Sequence, residues 1–271
     1  MKKILTCILG GLLLAAASVS AAPYKYVVFT TNLGDIKLKV YTDTPLHSEN
    51  FLKLAKEGHY NGLLFHRVIK DFMVQGGSSD SRNAEKGAML GTGGIDYTIE
   101  AEINPLHFHK KGALAAARQG DDVNPEKRSS GEQFYIVQGT VLEEKELDIM
   151  EQQRLMQTRN QYGKELFQPR ESEYREFLRS GNREAADELI RSIDAEIAEK
   201  FEGYNAHKFS PEARAVYITV GGTPFLDGKY TVFGEVVEGM EIIDNIAAQE
   251  TDGNDRPLED IVILETRLKR R

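Results

Sequence analysis

From Tyr24 onward, apolar and polar positions alternate as a half-buried strand requires. Tyr26, Val28 and Thr30 alternate with Val27 and Phe29, Asn32-Leu33-Gly34 makes a turn, and Ile36, Leu38 and Val40 alternate with polar partners. A helix follows. Thr44 is placed to cap it, Pro45 suits its first position, Phe51, Leu54 and Ala55 form its apolar stripe, and Gly58 stops it. Short strands are predicted at Leu64–Ile69, Met73–Gln75, Ala113–Ala117, Phe134–Gln138, Tyr217–Val220, Thr231–Val236 and Ile261–Thr266, with a second short helix around Met240–Ile246. Many short strands, glycine-rich turns and two helices predict an antiparallel barrel or sandwich.

Residues 141–213 break this pattern. They read as helix almost throughout, with Asn182 as a cap before an apolar stripe of Ala186, Leu189, Ile190, Ile193, Ile197 and Phe201. Tyr174, Phe177 and Leu178 form a smaller stripe ended by Gly181, and Ser210-Pro211-Glu212 starts a further helix. The expected organisation is a β unit over 23–140 and 214–271, carrying an α-helical insertion at 141–213.

The amino terminus has a different character. Met1-Lys2-Lys3 precedes an apolar run from Ile4 to Ala17 and the small residues Ser18-Val19-Ser20-Ala21-Ala22. This predicts a secretory signal peptide over 1–22, since the run is shorter than the roughly 20 residues a bilayer span needs. Export, to a periplasm or beyond the cell, is therefore expected, with no membrane association once the signal is cleaved. The chain's one cysteine, Cys7, lies inside the signal, so the mature protein is expected to have neither disulfides nor thiol chemistry.

Composition narrows the function. A formal charge of −8, becoming −10 without Lys2 and Lys3, argues against a nucleic-acid partner. Seventeen acidic against eleven basic residues in 141–213 put most of that charge in the insertion. The sequence has no G-x-S-x-G, H-E-x-x-H, C-x-x-C or Walker pattern. Gly91-Thr92-Gly93-Gly94 reads as turn glycines, His107 and His109 as partly exposed loop histidines rather than a metal pair, and Asp252-Gly253-Asn254-Asp255 as a turn. The remaining candidate is the run from Phe65 to Gly77, which places Arg67 beside Phe72, Met73 and Gln75 on a predicted hairpin. On its own it reads equally well as a strong donor beside an apolar patch or as an ordinary hairpin with a surface arginine.

That run resembles the cyclophilins, the peptidyl-prolyl cis/trans isomerases. The resemblance continues in order through Gly91–Gly94, Gly112–Arg118, Ser130–Ile136 and Phe225–Gly234, five blocks within 24–140 and 214–268. It implies a mainly β fold, an eight-stranded antiparallel closed barrel capped by two helices, with the helical insertion lying outside the family pattern. It also implies Arg67 as the catalytic group and Phe72, Met73, Tyr135 and Leu226 as the proline pocket. Gln75, Ala117, Arg118 and Gln133 would line the groove, with Phe225 and Tyr230 at its rim.

No metal or cofactor is implied. The implied partners are proline-containing unfolded or partly folded polypeptides, handled by a monomer. Phe225 stands where many family members have Trp and Tyr230 where many have His, which implies low sensitivity to cyclosporin. Tyr135 replaces a common Phe, and Arg118 replaces a common Asn at a position used largely through its backbone. The competing reading is a non-catalytic peptide-binding module or holdase using the same groove. The insertion either shapes client selection, with chaperone-like contact, or is a solvated, stabilising decoration.

Overall fold

The computed structural model describes residues 25–270, so the expected signal peptide lies outside the described residues. In chain order the elements are β1 (Tyr26–Thr31), β2 (Gly34–Val40), α1 (Pro45–Lys56), β3 (Arg67–Ile69), β4 (Met73–Gly76), β5 (Thr98–Ile99), β6 (Ala113–Ala116), β7 (Ser129–Ser130) and β8 (Phe134–Val137). Then come α2 (Glu144–Phe167), α3 (Glu171–Arg179), α4 (Arg183–Lys200), α5 (Pro211–Tyr217), β9 (Val232–Glu238), α6 (Met240–Ala247) and β10 (Ile263–Lys269). Eight strands form one antiparallel sheet in the order β10-β1-β2-β9-β6-β8-β4-β3, while β5 and β7 pair separately. The sheet curls as expected, with one adjustment at its seam. No ladder joins β3 to β10; the chain before β3 instead meets the start of β10 and the residues leading into it, with Phe65 N–H donating to Ile261 O (2.9 Å) and Ile263 N–H to Leu63 O (2.9 Å).

Strand alternation sorts the side chains into two sets. Val27, Phe29, Ile36, Leu38, Val74, Leu114, Phe134 and Ile136 turn inward to one core, which α1 closes with Phe51 and Leu54 and α6 with Ile243 and Ile246. At its centre the rings of Phe29, Phe51, Tyr60 and Phe134 meet at 5.2–5.9 Å, tilted or edge-to-face, as aromatic quadrupoles favour. The intervening residues Met73, Ala113, Ala115, Tyr135 and Val137 form a second, smaller apolar cluster with Leu226 and Val232.

Thr44 stands at the α1 N-cap, but its side chain does not cap the helix. Instead the Glu102 carboxylate, 55 residues away from His47, accepts the N–H groups of Leu46 (3.1 Å) and His47 (2.9 Å). Asn182 and Ser210 do cap α4 and α5, accepting from Ala185 and Ala213.

The expected strand at Tyr217–Val220 is not formed; Tyr217 is the last residue of α5 and a turn follows. Aromatic and β-branched composition favoured a strand there. The i, i+4 pair Ala213 and Tyr217 instead buries one helical face against Leu142, Leu147 and Phe209, and packing outweighs the weaker local preference. Glu143 and Glu146 form a capping box at the start of α2, and Arg214 of α5 donates to Glu144, Asp148 and Glu151 of α2.

The helical excursion is tied off at its base. Thr140 and Gly222 pair as an antiparallel bridge, with Gly222 N–H donating to Thr140 O (2.9 Å), while Gly222 also bridges to Lys110. A Cβ on Gly222 would lie 2.2 Å from His109 O and 2.7 Å from the Tyr217 ring. Gly222→Ala is therefore expected to destabilise the protein by about 1–3 kcal/mol through overpacking. Gly181→Ala, where a Cβ meets nothing within 4 Å, carries only the strain of its positive φ. Urea unfolding of the two variants checks this; equal midpoints would contradict the close-approach argument.

Candidate active site

Strand register builds the site. Arg67 of β3 pairs with Gln75 of β4, Gln75 with Tyr135 of β8, and Tyr135 with Ala115 of β6. Cross-strand partners share a face, so these four side chains form one row on the face opposite the aromatic core. Met73 lies two residues from Gln75 on the same face and extends the row's apolar side.

A pocket of about 260 Å³ opens over this row. Arg67, Phe72, Met73, Gln75, Ala117, Arg118, Tyr135, Leu226 and Tyr230 all line it. Gln133 lines an adjoining groove with Gly91–Gly94. Phe225 lines neither; it is 47% exposed and leans on Phe72 with ring centres 5.5 Å apart. Ten of the eleven residues singled out from the sequence thus line two adjoining depressions, with the eleventh outside them.

Side-chain hydrogen bonds hold Arg67 in place. Its Nε donates to Asp255 (3.3 Å) and its Nη1 to Gln75 Oε1 (3.4 Å). Gln75 Nε2 donates to Gln133 Oε1 (3.1 Å), whose own Nε2 donates to the carbonyls of Gly91 (3.0 Å) and Gly93 (3.3 Å). The loop at the end of this relay is fixed in turn by Asp80, which accepts from the N–H groups of Gly91, Thr92 and Gly93 at 3.2, 3.1 and 2.7 Å. Burial alone would raise the Asp80 pKa; its bonds from Ser78, Gly93 and Gly91 outweigh this and hold it below the usual carboxylate value. The Gly91–Gly94 turn is therefore an anchor for the guanidinium's orientation. The Arg67 side chain is half exposed, and its guanidinium N–H groups beyond those given to Asp255 and Gln75 remain available.

His66 lines the same pocket. Burial pushes its pKa down to about 4 against the pull of Asp80, so a neutral imidazole stands beside Arg67 at neutral pH. Arg256 is buried and donates to the carbonyls of Glu85 (2.8 Å) and Ala88 (3.2 Å), pinning the segment that brings Met89 to the opposite wall. The Arg118 side chain is itself engaged: the guanidinium lies 4.5 Å over the Tyr230 ring and Nε donates to Lys229 O (2.8 Å).

Behind the pocket wall runs a buried polar chain. The Tyr135 hydroxyl lies 3.0 Å from His109 Nε2, and His109 Nδ1 lies 2.9 Å from Asp227 Oδ1. With Nδ1 committed to the carboxylate, Nε2 accepts from Tyr135. Asp227 Oδ2 accepts from the Tyr217 hydroxyl of α5 (2.7 Å) and lies 3.9 Å from Arg154 of α2, which donates to Pro224 O (2.7 Å). The hydroxyl that distinguishes Tyr135 from Phe is thus satisfied, and the helical excursion reaches the pocket through two of its helices. His109 is fully buried, correcting the expectation of a partly exposed loop histidine, while His107 is partly exposed as expected, stacks on Tyr41 and bonds Asp43.

The sequence reading missed Asp255, Asp80, His109 and Asp227. Each is polar and unremarkable in its local run, and only long-range folding gives it a partner. Asp227 fell inside the Phe225–Gly234 block without a part of its own.

A family model described as cyclophilin type peptidyl-prolyl cis-trans isomerase matches residues 26–153 and 212–268. The chain belongs to the cyclophilin-type peptidyl-prolyl cis-trans isomerase family. A relative in Staphylococcus saprophyticus bearing a peptidyl-prolyl cis-trans isomerase name is 30% identical over 238 residues, 88% of each protein. Another in Staphylococcus haemolyticus is 30% identical over 239 residues, 88% of this chain and 87% of the relative. Among solved structures, a cyclophilin type peptidyl-prolyl cis-trans isomerase of Cryptosporidium parvum shares the fold, with a TM-score of 0.52 and 19% identity over 91% of this chain and 98% of that one. The matched blocks fall on either side of residues 154–211, so most of the excursion lies outside the cyclophilin pattern.

Asp227→Ala is expected to cost about 3 kcal/mol, because it strands the His109 N–H and the Tyr217 hydroxyl in a buried setting. Tyr135→Phe, which deletes one hydrogen bond at the chain's end, is expected to cost about 1 kcal/mol. Denaturant unfolding gives both values; an Asp227→Ala cost no larger than that of the exposed Glu184→Ala would rule out the network as described.

Proposed function

We propose that the protein catalyses X-Pro isomerisation without a covalent intermediate, with Arg67 stabilising the twisted amide. The observation that carries this reading is the register row: a guanidinium fixed by Asp255 and Gln75 faces the apolar floor of Met73, Phe72 and Leu226 across one pocket. Rotation about a peptide bond meets a barrier of about 18–20 kcal/mol because the nitrogen lone pair is delocalised into the carbonyl. As the bond twists, the lone pair returns to the proline nitrogen, which becomes a hydrogen-bond acceptor. An N–H of Arg67 aimed at that atom stabilises the twisted state above either planar isomer, which is what acceleration requires. By analogy with oxyanion-hole donors, one such contact supplies about 3–4 kcal/mol.

The remaining residues have supporting parts in this reading. Phe72, Met73, Tyr135 and Leu226 hold the pyrrolidine ring and keep water from competing for the guanidinium. Gln75, Gln133, Ala117 and Arg118 receive the flanking backbone, with Tyr230 closing the rim and Phe225 extending it over Phe72. Lysine cannot replace Arg67 at full efficiency, because it lacks a planar fork that Asp255 and Gln75 can orient while further N–H groups stay free.

The substrates in this reading are proline-containing stretches of exported proteins, unfolded or partly folded. A basic start, an apolar run and small residues in 1–22 support export, and the absence of cysteine after Cys7 suits an oxidising compartment.

Arg67→Ala and Arg67→Lys are expected to lower kcat/KM on an X-Pro peptide about 100-fold or more while leaving the unfolding midpoint near wild type. A groove that only binds predicts no acceleration by the wild type, and that result would overturn the enzyme reading. For localisation, mass spectrometry of the protein from producing cells is expected to find a new N-terminus after Ala21 or Ala22 in the extracytoplasmic fraction. Full-length chain confined to the cytoplasm would refute export.

A further inference from the structure

A second groove, of about 670 Å³, runs between the helical excursion and the barrel. Arg154 of α2 and the 204–210 segment form one side; the 103–108 loop and Asp227–Lys229 form the other. Its charge is opposite to that of its surroundings. The chain carries −8 overall and 141–213 holds 17 acidic against 11 basic residues, yet this groove is lined by Lys127, Arg154, Lys208 and Lys229. The one carboxylate among its lining residues, Asp227, is already taken up by His109, Tyr217 and Arg154. Among the described residues, no carboxylate lies within ion-pair distance of Lys127, Lys208 or Lys229, and Lys208 and Lys229 are exposed. Only Lys127 has a side-chain bond, to Gly228 O at 3.4 Å.

This groove lies one short segment of chain away from the pocket. Residues 226–230 are a shared wall: Leu226 and Tyr230 line the proline pocket, while Asp227, Gly228 and Lys229 line the groove. Arg118 stiffens that wall from below through Lys229 O and the Tyr230 ring. A polypeptide with its proline against Leu226 crosses the wall within a few residues, at roughly 3.3–3.6 Å of extended chain each.

We propose that the groove is an extended substrate subsite that selects acidic residues flanking the target proline. The inference rests on the isomerase reading and deepens it, because the excursion then contributes substrate choice. Unpaired ammonium groups on a water-facing wall act chiefly through attraction and encounter, so the preference appears in KM and weakens with salt.

The test uses the mature protein and three peptides sharing one Ala-Pro core: alanine flanks, three glutamates on the N-terminal side, or three on the C-terminal side. Turnover and binding by fluorescence anisotropy are both measured, at 20 and 300 mM NaCl. One glutamate peptide is expected to exceed the alanine peptide about fivefold in affinity and in kcat/KM at low salt, an advantage that shrinks at high salt. Lys208→Glu/Lys229→Glu is expected to abolish or invert the ratio of that peptide to the alanine peptide. Equal affinity for all three peptides, or an unchanged ratio in the double variant, overturns the subsite. Failure of the wild type to accelerate any peptide overturns the isomerase reading, and the anisotropy ratios still decide the subsite.

Discussion

Slipping β8 by one residue against β4 would carry Tyr135 into the aromatic core and Phe134 out toward the pocket, and everything else in the site would fail with it. The register is held by the aromatic core, into which the Phe134 ring packs on every side. Phe134 meets Phe29, Phe51, Tyr60 and Phe65 at 5.5–6.1 Å, and its side chain is buried. Strand side chains have a period of two, so fixing Phe134 and Ile136 inward fixes Tyr135 and Val137 outward. The same choice on β4 puts Val74 in and Met73 and Gln75 out, and on β3 it puts Val68 in and Arg67 out. The packing that stabilises the barrel is therefore also what brings a guanidinium, an amide and an apolar floor to one side of it.

Two polar systems refine that placement. The first runs from Asp80 through the Gly91–Gly93 loop, Gln133 and Gln75 to Arg67, with Asp255 holding the opposite edge of the guanidinium. Each amide uses its donor and its acceptor, so turning one over would break bonds on both sides. The second runs from Tyr135 through His109 and Asp227 to Tyr217 and Arg154. It replaces what would be a purely apolar wall with a buried, hydrogen-bonded one. It also makes the excursion part of the wall's support, through the closely packed stitch of Thr140, Gly222 and Lys110 at its base.

The excursion has a two-sided character. Its acidic residues mostly face solvent or meet basic partners such as Arg170, Arg191 and Arg214. Its small core of Leu142, Leu147, Phe209, Ala213 and Tyr217 meets the barrel through Phe108. Next to that contact the charge turns positive, which averaging over 141–213 conceals.

Much of the fold was legible in the sequence because it depends on local rules. Alternation gave most strands, Pro45 and the Phe51 stripe gave α1, and Asn182 and Ser210 gave the starts of α4 and α5. It failed at Tyr217–Val220, where long-range burial of Tyr217 overrode a strand-like composition, and at Thr44, where Glu102 supplies the capping. By itself the sequence determined the binary pattern of each element and, through five ordered motifs, most of the residues that line the pocket. Only the tertiary structure decided which polar groups support them. Asp255 lies 188 residues from Arg67, and Asp227 lies 118 from His109. No local pattern encodes such pairs: a lone carboxylate acquires its role when folding brings it within hydrogen-bond reach of a distant donor.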